Sequence, residues 1–333
     1  MRKLYRICIL LLSLIILPVY AGGGIAHMFL AQETIDRLPD PALRNLLKNN
    51  FEAYVVGAYY PDSGFVGGNH YGEDSHWDAF IFTFADYLKD KYSQPELQNP
   101  KLVAFLFGCA AHRLSDEVMH WTFYPVMAKQ DFHTDNWSEA HQYGDIGIDL
   151  LLIIDKNQWL THPTTWWVPV KDLVAVYQRM GKPEYTAEEI IRGNSITFFA
   201  GYGERLIAAP AYPYLRWKMP WTSQHYYDWP VGGITMDEDK TAEYLMNLWQ
   251  RLKGKKPFPR ATLSKMHQLD SNPANHSSVL NDFSTNILNQ GVVSVPTITN
   301  EDGSVELQSP IINSFTQFQQ SLVNLISKIR QLN

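Results

Sequence analysis

Cysteine is almost absent from this chain of 333 residues, which holds only Cys8 and Cys109. Cys8 falls in an amino-terminal stretch that reads as an export signal. The mature chain would then keep Cys109 alone, which excludes an internal disulfide and leaves a small core residue. Positive charge is also in short supply. The formal net charge of −6 offers no basic stripe for tracking a long nucleic-acid duplex, although an enzyme that cuts nucleic acid through a few contacts stays open. The apolar stretch from Ile7 to Ile16 is too short for an ordinary membrane span. Convincing strands are few and no internal repeat is visible. The chain therefore reads as mostly α, with enough residues for one large domain or two small ones.

What is present begins with the signal itself. Met1-Arg2-Lys3 and Arg6 form its charged region, and Val19-Tyr20-Ala21 resembles a small-residue cleavage site with the cut before Gly22. Export places the protein in a secreted or periplasmic location. Aromatic residues reach 13%, with 10 Trp and 18 Tyr. Such rings suit water–lipid interfaces but equally fill cores.

The centre of the chain is Cys109-Ala-Ala-His112-Arg-Leu-Ser-Asp116-Glu-Val-Met-His120. The apolar, proline-free run Leu102 to Gly108 leads into it, so the pattern predicts one buried helix from Leu102 to about Tyr124. His112, Asp116 and His120 at i, i+4 and i+8 then spread over only ~80° of its surface. A second pair, His141 and Asp145, repeats the i, i+4 step on a helix from Ser138 to about Ile154. Each buried polar group without a partner costs roughly 2 kcal/mol or more. Scattered histidines with individual partners would meet that cost, but five such groups on two helices favour a metal site.

Other candidates lie around this centre. His27 sits in the first turn of a helix from Ala26 to about Leu38. Pro41 to Tyr60 reads as a second helix ending in a turn that carries Asp62, itself either a turn residue or a functional one. His76 follows a glycine-containing loop. His133, in an irregular region from Ala128 to Trp137, rivals His120. Asp149 extends the i+4 series, with solvent or an ion pair as its expected lot. Thr186-Ala-Glu-Glu189 is a capping box opening a helix to about Ala209, and Ala208 to Trp229, rich in proline and aromatic rings, reads as no single regular element. Thr235-Met-Asp-Glu238 looks like a cap for a last helix to Leu252, stopped at Gly254. From Lys255 the texture changes, with a possible strand pair at Val292–Thr299 and Ser304–Gln308. The tail regains a heptad seam from Ile311 to Leu332. The organisation expected is a signal at 1–21, a main domain at 22–254 and an extension at 255–333 ending in an amphipathic helix.

Laid out this way, the chain resembles the zinc-dependent phospholipase C and S1/P1 nuclease superfamily, and within it the glycosylphosphatidylinositol-specific phospholipase D branch. The segments that carry the likeness are Gly57–Asp62, Ser75-His76-Trp77, Lys101–Gly108, Ser138-Glu-Ala-His141 with Gly144-Asp145, and Val168–Leu173. The likeness runs from about Gly22 to Gly254. It implies an all-α multi-helix bundle holding three Zn2+ ions. In the family pattern Asp62, His76, His112 and Asp116 would hold one ion. Gly22, through its free amine and carbonyl, and His27 would hold a second bridged by Asp116. His120, His141 and Asp145 would hold the third. Three departures stand out. Glycine replaces the usual amino-terminal tryptophan, Asp145 matches the nucleases rather than bacterial phospholipase C, and His120 follows Asp116 closely, as in the phospholipase D branch. That branch continues into propeller repeats, which are not read in these residues.

The function implied is hydrolysis of glycerophospholipid phosphodiesters by a zinc-activated water, with Asp62 as the catalytic residue that orients it or takes its proton. C-type cleavage is slightly favoured over D-type. The partner is then phospholipid at a membrane surface, with no stable nucleic-acid partner and no transmembrane span after signal removal. An S1/P1-like nuclease or 3′-nucleotidase is the alternative, and a non-catalytic zinc or lipid-binding module the second. Asp74, Asp78 and Glu139 are candidates to support the ligands or to sit in solvent.

Overall fold

The computed structural model describes residues 23–257, except 67, 162 and 164, together with 297–307. The expected signal, Gly22 and the heptad seam at 311–332 lie outside the described residues. Among the described residues, thirteen helices, several of a single turn, alternate with short links. They are α1 (Gly24–Arg37), α2 (Pro41–Asn49), α3 (Phe51–Tyr59), α4 (Gly72–Ser75), α5 (Asp78–Lys91), α6 (Pro95–Gln98) and α7 (Pro100–Val118). After a π-helical turn at Met119–Phe123 come α8 (Tyr124–Asp131), α9 (Trp137–Asp155), α10 (Val170–Arg179), α11 (Ala187–Lys218), α12 (Thr222–His225) and α13 (Ile234–Leu252). The fold is all-α, as expected. None of the described helices is long and apolar enough to cross a membrane.

The bundle is centred on α7, which is buried from Leu102 through Arg113. Its closest neighbour is α3, and two glycines explain the contact. A Cβ on Gly108 would lie 2.0 Å from the Tyr54 carbonyl oxygen, and one on Gly57 would lie 2.3 Å from that of Phe105. The two backbones touch where neither carries a side chain. Asn99 opens α7 by accepting the Leu102 N–H at 3.1 Å, and Pro100 fills the position that needs no N–H.

Several boundaries differ from the sequence pattern. The expected helix from Pro41 to Tyr60 breaks at Asn50, whose backbone (φ −122°, ψ 37°) leaves the helical region. The central helix runs on to Asp131 rather than ending near Tyr124, through the π turn that contains His120. The Thr186 capping box is formed, with Thr186 Oγ1 accepting the Glu189 N–H at 3.2 Å. The helix it opens continues through Pro210 and Pro213 to Lys218, so the proline-rich stretch is half helical. Each proline frees a carbonyl four residues back, on Leu206 and Ala209. Both residues are exposed, so water can take those bonds and the helix survives. Thr235 is no cap: α13 starts at Ile234 behind Gly233, and the Thr235 hydroxyl donates to the Tyr227 carbonyl instead. Cys109 is buried, as expected, and burial pushes its thiol well up.

A small antiparallel sheet joins one strand of the main body to two from the segment beyond residue 254. β1 (Trp166–Val168), β2 (Thr297–Thr299) and β3 (Val305–Leu307) stand in the order β1-β3-β2. Trp166 pairs with Leu307 and Val168 with Val305. The expected strand pair is therefore present over its described part, and it joins a strand from the main body.

Replacing Gly108 by alanine should drive α3 and α7 apart and destabilise the fold by about 1–3 kcal/mol. Alanine at Gly203, on α11 with nothing within 4 Å of its Cβ position, should stabilise by about 0.5–1 kcal/mol. Thermal unfolding of the two variants checks the contrast, and similar shifts in both would show that the helix crossing tolerates a methyl group.

Candidate metal centre

Three helices, α1, α7 and α9, and the turns between others deliver the candidate side chains to one cleft. α1 brings His27, the 3-10 turn Pro61–Gly64 brings Asp62, and His76 follows α4 directly. α7 brings His112 and Asp116, the π turn brings His120, and α9 brings His141 and Asp145. Three groups form. His27, His112 and Asp116 make one, Asp62, His76 and His112 a second, and His120, His141 and Asp145 a third. In each group the potential ligand atoms lie within 4.8 Å of one another. His112 belongs to two groups. Asp116 Oδ1 stands 3.8 Å from His27 Nε2 and 3.1 Å from His120 Nε2, so it links the first group to the third. His133 is exposed, at φ 54°, and stands in none of these groups.

The hydrogen bonds behind the rings decide which nitrogen faces the cleft. His112 Nδ1 lies 2.8 Å from the Ala58 carbonyl oxygen and His76 Nδ1 2.6 Å from that of Gly72. A carbonyl only accepts, so both Nδ1 atoms carry hydrogen. Ser115 gives its hydroxyl hydrogen to the His112 carbonyl at 3.0 Å, so its oxygen accepts from His27 Nδ1 at 2.7 Å. All three rings are thus turned with Nε2 toward the cleft, the arrangement that metal-ligating histidines adopt.

The facing atoms then need a positive charge. His76 Nε2 and His112 Nε2 lie 2.9 Å apart, with Asp62 Oδ1 at 3.5 and 3.8 Å from them. Two bare ring lone pairs at that distance repel unless a proton or a metal cation sits between them. Burial lowers the basicity of His76, but its bond to Asp62 and the charges of Asp116 and Asp62 outweigh burial and lift it from 6.5 to about 9. Burial and the His27 and His76 rings push His112 well below its ordinary value, so it stays neutral. Asp116 is buried, which would raise it, yet His120, His76, His112 and His27 hold it well below the usual carboxylate range. Asp62 Oδ2 is buried with no hydrogen-bond partner among the described groups. The donor set is imidazole and carboxylate around an unsatisfied negative cleft, which suits zinc.

The supports differ from those expected. Asp74 accepts from Tyr185 and pairs with Lys182 at 3.0 Å. Asp78 pairs with Arg113 at 2.7 Å and accepts from Tyr244 at 2.6 Å. The Glu139 side chain lies outside the described residues. Groups that the sequence pattern does not single out act instead: Ser115 orients His27, and the Tyr124 hydroxyl donates to Asp145. Asp149, expected in solvent or an ion pair, is fully buried and accepts from the Ile25 N–H at 3.0 Å and the Ala26 N–H at 2.6 Å. Its i+4 spacing after Asp145 was the available signal. Beside His27 and Asp116 a small cleft is lined by Gly23, Ser115, Met119 and Tyr124.

An all-helical bundle with histidine and carboxylate side chains converging on one cleft defines a class of metal-binding protein. The profile of the zinc dependent phospholipase C family matches residues 26–182, a span that includes every candidate ligand except Gly22. Over that span the chain is similar to the zinc-dependent phospholipase C family. It is similar to phosphatidylinositol-glycan-specific phospholipase D of Homo sapiens, at 33% identity over 205 residues, which are 57% of this chain and 24% of that protein. The Mus musculus protein of the same name is 28% identical over 246 residues, 70% of this chain and 29% of that protein. That of Dictyostelium discoideum is 29% identical over 198 residues, 56% and 21%. The chain thus spans about a quarter of the length of the curated relatives it matches. No solved structure matches it.

Zinc should displace the proton held at His76. Loading the metal-free protein near pH 7.5 should release about one proton, measured by titration in buffers of different ionisation enthalpy. Zinc at a hundredfold excess over its dissociation constant should add about 2.7 kcal/mol, read as a higher unfolding temperature that a chelator reverses. The raised His76 also sets a sign for the metal-free form. Its stabilisation is complete below 6.5 and lost as pH rises through about 9. The metal-free protein should accordingly unfold at lower temperature as pH climbs across that window.

Proposed function

We propose that the protein is an exported zinc-dependent hydrolase that cleaves phosphodiester bonds of glycerophospholipids, with C-type cleavage. The observation that carries this reading is the continuity of the three side-chain groups through His112 and Asp116. A phosphodiester carries charge on its non-bridging oxygens and builds more on the leaving oxygen, and several adjacent cationic positions can share it. Zinc, when bound, supplies Lewis acidity that brings the pKa of water toward neutrality.

In this reading three ions are held. Asp62, His76, His112 and Asp116 serve one, Gly22 and His27 with Asp116 a second, and His120, His141 and Asp145 the third. The segment 22–254 is the catalytic domain, and cleavage after Ala21 exposes the Gly22 amine. Asp62 is the catalytic residue. Burial raises its carboxyl, countered by the bond to His76, and its free Oδ2 is placed to orient water or accept its proton. His76 Nε2, with the Nδ1 hydrogen committed to Gly72, stands 3.5 Å from the other oxygen of Asp62.

Two exposed rings support a lipid surface as the substrate's setting. Trp121 follows His120 in the π turn at 40% exposure, and Tyr143 lies between His141 and Asp145 at 36%. Amphipathic rings exposed on the surface suit the headgroup layer of a bilayer. The relatives' names, phosphatidylinositol-glycan-specific phospholipase D, point to a phospholipid substrate as well.

The form beginning at Gly22 should convert mixed phospholipid vesicles to diacylglycerol in a chelator-sensitive way, read by mass spectrometry. Asp62→Asn should lose about 10²–10⁴-fold in kcat, with zinc bound per chain measured alongside to separate loss of the base from loss of a ligand. Phosphatidate would instead assign D-type cleavage. A zinc-loaded protein that releases no lipid product but frees nucleotides from single-stranded DNA would replace the lipase reading by the nuclease one.

A further inference from the structure

The first helix begins without a cap of its own. Gly23 precedes α1 in a left-handed conformation, φ 40° and ψ 10°, and no neighbouring side chain bonds the helix start. The opening N–H groups of a helix have no partners within it. Here Asp149, a residue of α9, meets two of them, Ile25 with one carboxylate oxygen and Ala26 with the other. His27 follows directly, its own N–H bonded to the Gly23 carbonyl at 3.0 Å. The turn that carries His27 is therefore held at its start by one buried carboxylate.

A second carboxyl group stands behind the first. Glu204 on α11 is fully buried. Neither of its oxygens receives an N–H or O–H from other described groups, yet its side chain is within hydrogen-bonding reach of Asp149. Two carboxyl groups meet in this way only with a proton between them, since each is otherwise an acceptor. Asp149 spends both oxygens on N–H donors and is the better anion, so Glu204 is the acid that donates. The neighbouring Arg205 is equally buried, but its guanidinium donates to the Gly201 carbonyl at 2.7 Å and reaches Thr161 at 3.4 Å. It balances the remaining charge without taking the place of the proton. Burial raises Glu204 well above the ordinary carboxylate range, and the nearby Asp149 raises it further.

We propose that Glu204 is a positioning residue for the amino-terminal edge of the metal centre, donating a hydrogen bond to Asp149 that fixes the Ile25 and Ala26 N–H groups and thereby sets His27. Neither residue touches the reacting atoms. The consequence for metal binding rests on the zinc-site reading above, whereas the contact itself can be tested without it.

The test compares two replacements of similar volume in the full mature chain. Glu204→Gln keeps an N–H donor toward Asp149, and Glu204→Met keeps the bulk but donates nothing. Hydrogen–deuterium exchange of the peptide covering residues 23–30 reads the cap, and metal analysis reads zinc bound per chain. Glu204→Gln should match the wild type in both. Glu204→Met should exchange at least tenfold faster at Ile25 and Ala26 and bind less zinc, while α7 peptides stay protected. Equal exchange in the two variants would overturn the proposal, because bulk alone would then suffice. If Glu204→Met does not fold, Asp149→Asn replaces it: the same tenfold loss of protection supports the cap, and wild-type protection overturns it. These readouts need no lipase activity, so a failed lipase assay does not alter their outcome.

Discussion

The contact between α3 and α7 is the constraint on which the rest of the molecule depends. Two helices approach to backbone contact only where side chains are absent, and Gly57 and Gly108 remove them from both sides. The closeness has chemical results. It lets the ring of His112, one turn beyond Gly108, donate to the Ala58 carbonyl, one residue beyond Gly57. It also sets Asp62, in the turn that ends α3, opposite the face of α7 that bears His112. A methyl group at either glycine would therefore act on packing and on the cleft together.

Charge in the cleft is balanced by position rather than by ion pairs with lysine or arginine. Asp116 stays ionised because imidazoles surround it, while His112 stays neutral because other rings and burial oppose its protonation. His76 holds the proton that the facing nitrogens require. The protein thus keeps, in metal-free form, a proton where a larger cation can go. Backbone carbonyls and Ser115 consume every outward-facing ring hydrogen of His27, His76 and His112.

Much of this was legible in the chain. The i, i+4 steps at His112–Asp116–His120 and His141–Asp145 are local, and helical geometry alone turns them to a common side. The Thr186 box is equally local. What escaped depends on tertiary context. Asn50 breaks an otherwise helical pattern, and α11 crosses two prolines because its freed carbonyls face water. Thr235 has the spelling of a cap, but its hydroxyl is drawn to Tyr227. Asp149 looked like a surface charge because its partners, two backbone N–H groups, leave no trace in side-chain identity. The π turn at Met119–Phe123 contains no proline or glycine, but Pro125 just beyond it lacks the N–H that the Trp121 carbonyl would take, a local signal for the irregularity.

The cap that Asp149 places on α1 spans 124 positions of chain to Ile25 and 123 to Ala26. Closing such a span costs entropy that grows only slowly with length, but it makes the contact a strongly non-local one. The first residues of the domain to leave the ribosome must therefore wait for α9, and for α11 behind it, before their helix has a fixed start. Synthesis order and assembly order run opposite here. A chain stalled before residue 149 would carry His27 on a helix whose opening N–H groups still lack their cap.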